Sequence, residues 1–416
     1  MIHKEIERYH LVKQIRQRYS LLVKDNLGFP SPPKESLNRY FMDEISHATL
    51  KDIKSGNTLP PFPRSNFKAI VREITEDLPA KLKPPIQYIK SDEVCRRYTK
   101  EYIQAYNKMM GEDLKFEPTS DCMSYLLRLK EECNPKLVKK TKPLIRNIIN
   151  GLKEILIESH ERLESFDVSS FKEDPEIRVV VVGKFELSLT HIQTGFSLKL
   201  QKKSFNKLIS INPSLSHCFI TALRYQTLND SAENIFEGTG QHAAIPKRVF
   251  DTLVGYYKGE TLTEGFASPF NNYLSSFFSA FPDIDHVYGS KGSLFASYKT
   301  ITTSGGVYEF NPPFSEVLIG ELNKFFIRCL EKGEVPLTFI VILPWWQDSE
   351  PINNILRNDY TTGSLVLKAG EHYYISGSQH LNGEKEFNAV HDTIVIWLQN
   401  PPGIKKWPVE KKSFKI

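Results

Sequence analysis

Asn311, Pro312, Pro313 and Phe314 stand directly before a stretch with helical spacing and directly after a run that reads as a strand, Glu309 and Phe310 closing it. Two consecutive prolines fix their φ angles and donate no hydrogen bonds, so the carbonyl groups of the segment are free to point toward an exocyclic amine. Asn311 sets a side-chain carbonyl beside them. That oxygen and one backbone carbonyl, that of Pro312, can accept both hydrogens of an amino group and hold its nitrogen lone pair toward an electrophile. Phe314 would stack on the ring that bears the amine. Adenine suits such a clamp, since it presents an amino group on a flat base that stacks on aromatic side chains. The same four residues also occur in plain turns; their place between a strand and a helix favours the chemical reading.

The elements that must position this segment follow from periodicity. Residues 1–170 read as a helical domain: Ile6, Tyr9, Val12, Ile15, Tyr19 and Leu22 form one apolar stripe, and Leu144, Ile145, Ile148, Ile149, Leu152, Ile155 and Leu156 a second. Proline clusters at residues 29–33, 59–63 and 83–85 interrupt the helices. Near residue 175 the pattern changes, and residues 175–416 read as an α/β domain opened by a β-hairpin extension at 177–200. Strand-like segments ending at Ala267, Phe310, Leu343, Leu367 and Leu398 alternate with helices at Val249–Tyr257, Asn271–Phe281 and Ser315–Leu330. This order implies a mostly parallel sheet that ends in an antiparallel pair. Ligands in such sheets sit outside the carboxyl ends of the strands, which points to the loops after Ala267, Phe310 and Leu343. Leu318, Leu322, Phe325, Phe326 and Cys329 share one helix face and should be core.

An Asn-Pro-Pro-aromatic element at a strand end resembles the catalytic motif of S-adenosylmethionine-dependent amino methyltransferases with a Rossmann-like sheet, where the enzyme aligns and desolvates a near-attack pair. The resemblance becomes closer across residues 180–408. Phe236-Glu237-Gly238-Thr239-Gly240-Gln241, Ile245-Pro246 with Val249-Phe250, and Gly265-Phe266-Ala267-Ser268-Pro269-Phe270-Asn271 come first. Ser279-Ala280-Phe281-Pro282-Asp283, Tyr288-Gly289-Ser290 and Asn311 to Phe314 with Glu316 follow. Phe339-Ile340-Val341, Glu371-His372, Ser376-Gly377-Ser378-Gln379-His380, Ala389-Val390-His391, Leu398-Gln399-Asn400 and Lys406-Trp407 complete the series. Together they resemble the phosphorylated-CTD-interacting factor family of cap-specific adenosine N6-methyltransferases.

The resemblance implies transfer of a methyl group from S-adenosylmethionine to N6 of the 2′-O-methyladenosine beside a 7-methylguanosine cap. Asn311, Pro312, Pro313 and Phe314 would be catalytic, Asn311 and Phe314 also meeting the cofactor. Gly240, Gln241, Ala267, Ser268 and Asn271 would approach the cofactor, although these small residues also suit plain turns. Asp283, or else Asp285, would hold its ribose. Glu316, Trp346, Gln347, Asp348, Glu371, His372, Gln379 and His380 would contact the substrate, an aromatic face attracting the methylated guanine by roughly 1–2 kcal/mol. Two departures stand out. The segment Trp345-Trp346-Gln347-Asp348 and Gly370 before Glu371 differ from the family's cap pocket, so looser cap selectivity is expected. All four tryptophans, Trp345, Trp346, Trp397 and Trp407, lie in the last third, so no WW module for a phosphorylated polymerase tail is expected.

Composition sets the remaining expectations. The net charge is 54 − 49 = +5, divided as 28 − 19 = +9 over residues 1–150 and 26 − 30 = −4 over residues 151–416. A basic half suits a polyanion such as the RNA 5′ end, with Arg16, Arg18, Arg64, Lys81, Lys83, Arg96, Arg97, Lys139, Lys140 and Lys142 as candidates; solvated helix faces would give the same pattern. Five cysteines stand singly, and His372, His380 and His391 match no ligand spacing, so no disulfide framework and no metal are expected. No apolar run of about 18 residues spans a membrane. The first residues, MIHKEIERYH, read as a charged helix rather than a secretory leader. The resemblance implies a nuclear enzyme, with cytoplasm or a viral factory as alternatives, and a monomer is expected; Lys136–Lys142 would serve as a nuclear signal or as a solvated helix end. Competing readings are a DNA or internal-RNA adenine methyltransferase, a protein glutamine methyltransferase, and an inactive cap- or RNA-binding homologue.

Overall fold

The computed structural model describes residues 1–27, 36–46, 67, 70–71, 91–117, 121–167, 176–229 and 243–409. The chain divides into two compact units. One comprises residues 1–9, 42–60 and 166–416, the other residues 10–41 and 61–165. The boundary near 170 expected from the pattern is therefore crossed by the first nine residues, which group with the sheet-bearing unit.

The second unit is helical among its described residues. Helix Asp92–Met110 starts at Ser91, whose side chain accepts from the Val94 N–H, and stops at Gly111 with φ 71°, a left-handed conformation that glycine adopts without cost. Helix Cys122–Glu164 is capped by Asp121 and runs for 43 residues, through Pro135 and Pro143. Its apolar residues Ile148, Leu152 and Leu156 are fully buried, as the second stripe requires. Tyr102, Ile103, Tyr106, Leu129 and Leu137 form a local core between these two helices.

The first unit holds three sheets. Strands β1 (Ile177–Val181), β2 (Glu186–His191) and β3 (Ser197–Gln201) form an antiparallel meander, with Val179 opposite Leu189 and Leu189 opposite Leu198. Strand β4 (Ala243–Ala244) pairs with β10 (Tyr373–Ser376), which also pairs with β11 (Glu386–Asn388). The main sheet contains β5 (Leu262–Ala267), β6 (Phe277–Ser279), β7 (Gly306–Phe310), β8 (Leu337–Pro344), β9 (Thr361–Leu367) and β12 (Thr393–Gln399). Its order is β6-β5-β7-β8-β12-β9. The first four strands are mutually parallel, and β12 runs antiparallel to β8 and to β9.

Every residue of β8 and β12 is buried, as expected for strands covered on both faces. Helix Glu316–Lys332 covers one face with Leu318, Leu322, Phe325, Phe326 and Cys329, all buried. Helix Lys247–Tyr256 covers the other with Val249, Phe250 and Leu253. One expected helix is absent: residues 271–281 form a turn followed by β6, whose Phe277 pairs with Glu264 of β5.

Candidate active site

Along β7, residues alternate between the two covered faces. Tyr308 and Phe310 pack with Phe339 and Phe326 under helix Glu316–Lys332, whereas Val307 packs with Val249 and Phe250 on the opposite side. The period of two therefore carries Glu309 and Asn311 to the side of Val307. Gly265 of β5 makes the close approach of these strands feasible: a Cβ there would lie 2.1 Å from Cδ1 of Phe310.

At the strand end, Asn311 Nδ2 donates to the Ala243 carbonyl at 2.6 Å. This bond fixes the orientation of the amide. Oδ1 is buried and has no hydrogen-bond partner among the described residues. The Pro313 carbonyl accepts from Ser315 N–H at 2.8 Å. Ser315 in turn opens helix Glu316–Lys332 by accepting from Leu318 N–H. A buried acceptor held open costs roughly 1–3 kcal/mol unless a ligand satisfies it, and an exocyclic amine has the complementary hydrogens.

Asn311, Pro312 and Pro313 line a cleft together with Ala267, Ser268 and Asn271. The Asn271 side chain shapes that loop, its Oδ1 accepting from both the N–H and the hydroxyl of Ser268 at 2.7 and 2.8 Å. His380 also lines the cleft, buried and stacked on Phe270 with ring centroids 4.6 Å apart.

Other expected contacts lie apart from this cleft. Phe314, read as an open stacking face, is 6 % exposed and sits between Trp346 and Tyr374, with centroids 6.4 and 6.1 Å away. Trp346 is half-buried, and Gln347 and Asp348 are exposed, Gln347 accepting from Asn353 Nδ2 through its backbone carbonyl. His372 is held by the Lys368 carbonyl and the Thr393 hydroxyl at 2.8 and 2.7 Å, while Glu371 beside it is exposed. Trp346, Phe314, Tyr374 and His372 thus form a continuous aromatic chain. Glu316 is half-buried in the first turn of its helix, and Gln379 accepts the Ser204 hydroxyl through its carbonyl. Asp283 is bound by Arg224 Nη1 at 2.9 and 3.2 Å, so a ribose there would share its carboxylate with a guanidinium. Asp285, the alternative, is fully buried and accepts from Tyr225; burial pushes its carboxyl up to about 7. Gly240 and Gln241, with Arg64, Lys81 and Lys83, fall outside the described residues. Arg18, Arg97, Lys139, Lys140 and Lys142 are exposed in the helical unit. Among the described residues no cluster suits a metal ion, and no helix is long and apolar enough to cross a membrane.

Two cleft residues had no role in the sequence reading. Glu264 and Glu309 lie opposite one another on the neighbouring parallel strands β5 and β7, 3 % and 2 % exposed. Oε1 of Glu264 accepts from Tyr273 N–H and Leu274 N–H, yet burial still pushes its carboxyl up to about 7. Burial, with Glu264 as neighbour, holds Glu309 well above the usual carboxylate range. A glutamate immediately before Phe310-Asn311 was visible; its opposite number, 45 positions earlier, was not a local signal.

A family model described as "Phosphorylated CTD interacting factor 1 WW domain" matches residues 199–377, a stretch that contains the whole cleft-lining motif. A Homo sapiens protein named "mRNA (2'-O-methyladenosine-N(6)-)-methyltransferase" is 28% identical over 478 aligned residues, covering 97% of this chain and 65% of that relative. The Mus musculus protein of the same name is 28% identical over 470, covering 97% and 64%. Over residues 199–377 the chain is similar to the phosphorylated CTD interacting factor family. It spans about two thirds of the length of those curated relatives. In this chain Asn311, Pro312 and Pro313, the loop residues Ala267, Ser268 and Asn271 and the paired glutamates all line one cleft.

Proposed function

We propose that this chain is an S-adenosylmethionine-dependent methyltransferase acting on N6 of the cap-adjacent 2′-O-methyladenosine of capped mRNA. The single observation that carries the reading is Asn311, a cleft-lining residue: its amide is anchored through Nδ2 to Ala243, which leaves Oδ1 buried and, among the described residues, unpartnered. The curated relatives, named for this reaction and aligned over nearly the whole chain, lend the substrate class.

When bound, the cofactor supplies an electrophilic methyl group. The residues fit such a molecule, since the cleft walls beside Asn311 are small (Gly265, Ala267, Ala280) and offer a loop shaped by Ser268 and Asn271. In this reading the sheet is Rossmann-like, and the loops after β5 and β6 hold the cofactor, Asp283 serving its ribose. Asn311 Oδ1 and the Pro312 carbonyl take the two hydrogens of the target amine, which orients its lone pair and excludes water from it. The aromatic chain of Trp346, Phe314, Tyr374 and His372, with Glu316, Gln347, Asp348, Glu371, Gln379 and His380 as polar groups, serves base and cap recognition. The basic helical unit follows the RNA, and the enzyme works as a nuclear monomer without a metal.

Methyl transfer from labelled S-adenosylmethionine to short RNAs that begin with adenosine, capped and uncapped, tests this reading. Label recovered as N6-methyladenosine from capped RNA, and lost in Asn311→Ala, is the expected result. Equal labelling of uncapped RNA would replace the cap-specific assignment by a general adenine methyltransferase, and absence of any transfer with cofactor still bound would leave an RNA-binding homologue.

A further inference from the structure

The cleft is lined by two acids. Among the described residues no Lys or Arg lines it, whereas Glu264 and Glu309 both do, side by side on β5 and β7. Their situations differ. Glu264 is steadied by two backbone N–H groups at Tyr273 and Leu274. Lys207, the cation that acts on it, is spent on Asn272, donating to its backbone and side-chain oxygens at 2.8 Å each. Among the described residues Glu309 has no such support: its Oε1 is buried and without a hydrogen-bond partner, and the charged group acting on it is the other carboxyl. Two carboxyls in contact with one buried space cannot both ionise cheaply unless a positive charge joins them. Glu309 also lies two residues before Asn311 on the same side of the strand, at the floor of the clamp that receives the reacting amine.

We propose that Glu309, with Glu264 beside it, receives a positively charged group of the methyl donor, and that the arrival of that group releases a proton from the glutamate pair. The inference rests on the methyltransferase reading given above. It adds a charge-selecting element that the Asn-Pro-Pro-Phe segment does not contain. The donor carries two candidate charges, the methionine ammonium and the sulfonium. Either would offset the buried negative charge, the ammonium also donating a hydrogen bond to Oε1 of Glu309, and only the sulfonium is lost on methyl transfer. In the second case the pair would also favour the charged donor over the neutral thioether product. The other titratable groups around the cleft are Lys207 behind Glu264, Tyr225 from helix Leu215–Asn229, and His380; helix Lys247–Tyr256 contributes the apolar Phe250.

Calorimetric titration of the full chain with S-adenosylmethionine, S-adenosylhomocysteine and sinefungin, at neutral pH in two buffers of different ionisation enthalpy, reads both affinity and protons released. Wild-type protein is expected to release protons on binding S-adenosylmethionine. Glu309→Gln should weaken that binding at least about thirtyfold and abolish the release, as for a buried charge deprived of its partner. Glu309→Asp, which keeps the charge, should recover the release and serves where the glutamine variant fails to melt cooperatively. A loss shared by S-adenosylhomocysteine assigns the ammonium; a loss confined to S-adenosylmethionine and to sinefungin, which bears an amine at the sulfonium position, assigns the sulfonium. Binding of all three within about twofold of wild type with unchanged proton release would overturn the proposal. Failure of wild type to bind any of them would overturn the methyltransferase reading and this inference together.

Discussion

At the scale of single residues, the cleft turns on atoms that have been deliberately left without partners or without volume. Asn311 donates through Nδ2 to the Ala243 carbonyl and, among the described residues, keeps Oδ1 without a partner, so Asn311→Ala removes the open acceptor and leaves the sheet beneath it intact. Loss of one preorganised electrostatic contact typically lowers turnover by roughly 10²–10³-fold. Single-turnover methyl transfer should show that loss with the melting temperature nearly unchanged; a large fall in melting temperature would instead make Asn311 a structural residue. Gly265 is the opposite case. A methyl group there would collide with the Phe310 ring, which is itself pinned by Phe326 and Phe339 with centroids 4.9 and 5.3 Å away. Because the ring cannot yield, Gly265→Ala should cost roughly 1–3 kcal/mol by chemical denaturation, and a neutral result would mean that β5 and β7 can separate.

Among elements, those defined by local pattern were legible and those defined by pairing were not. Helix Glu316–Lys332 has its apolar residues on one face and a serine at its start, and its buried set matches the one read from spacing. The strand positions of the alternating region were legible for the same reason. Residues 271–281 were misread because Leu274, Phe277, Phe278 and Phe281 fall at helical intervals, yet β5 recruits Phe277 into a parallel pair and Glu264 binds the turn before it. The facing of Glu264 and Glu309, and the anchoring of Asn311 on Ala243, join segments far apart in sequence and leave no periodic trace. The first helix, Ile2–Leu27, illustrates the same limit. Its stripe was visible, but within the sheet-bearing unit its first residues are held by buried polar groups: Arg224 donates to both oxygens of Glu5 at 2.7 Å and to Asp283. Burial alone would raise the Glu5 carboxyl, but Arg224 and Arg8 outweigh it and bring it from 4.5 to about 2. The stabilisation is therefore complete above the ordinary value and lost as pH falls toward the folded one. Glu5→Ala removes the carboxylate between two buried guanidiniums, Arg224 and Arg8, and should cost ~3–5 kcal/mol in a urea titration at neutral pH. A cost below about 1 kcal/mol would show that the network rearranges without loss.

For the molecule as a whole, the buried acids of the sheet-bearing unit set how stability responds to pH. Glu264 and Asp285 are each pushed up to about 7 and Glu309 well above its usual range, in every case chiefly by burial. The folded chain thus holds protons that the unfolded chain has already released, and stability declines as pH rises from the unfolded carboxylate values toward the folded ones. Opposing groups act mainly elsewhere. Glu5 contributes only below its ordinary value. Lys207, lowered by burial to about 8, favours the folded state with increasing pH only above that point. His191, lowered by burial, opposes the trend only toward the acid end. The melting temperature should therefore be higher near pH 6 than near pH 8, each of Glu264 and Asp285 contributing about 1 kcal/mol across that interval. Asp285→Asn discriminates the cause, since an asparagine oxygen can still accept from Tyr225 while carrying no charge. It should remove part of the difference by raising stability at the alkaline end. An unchanged slope in that variant would assign the pH response to the glutamate pair of the cleft, where the methyl donor would then be expected to suppress it.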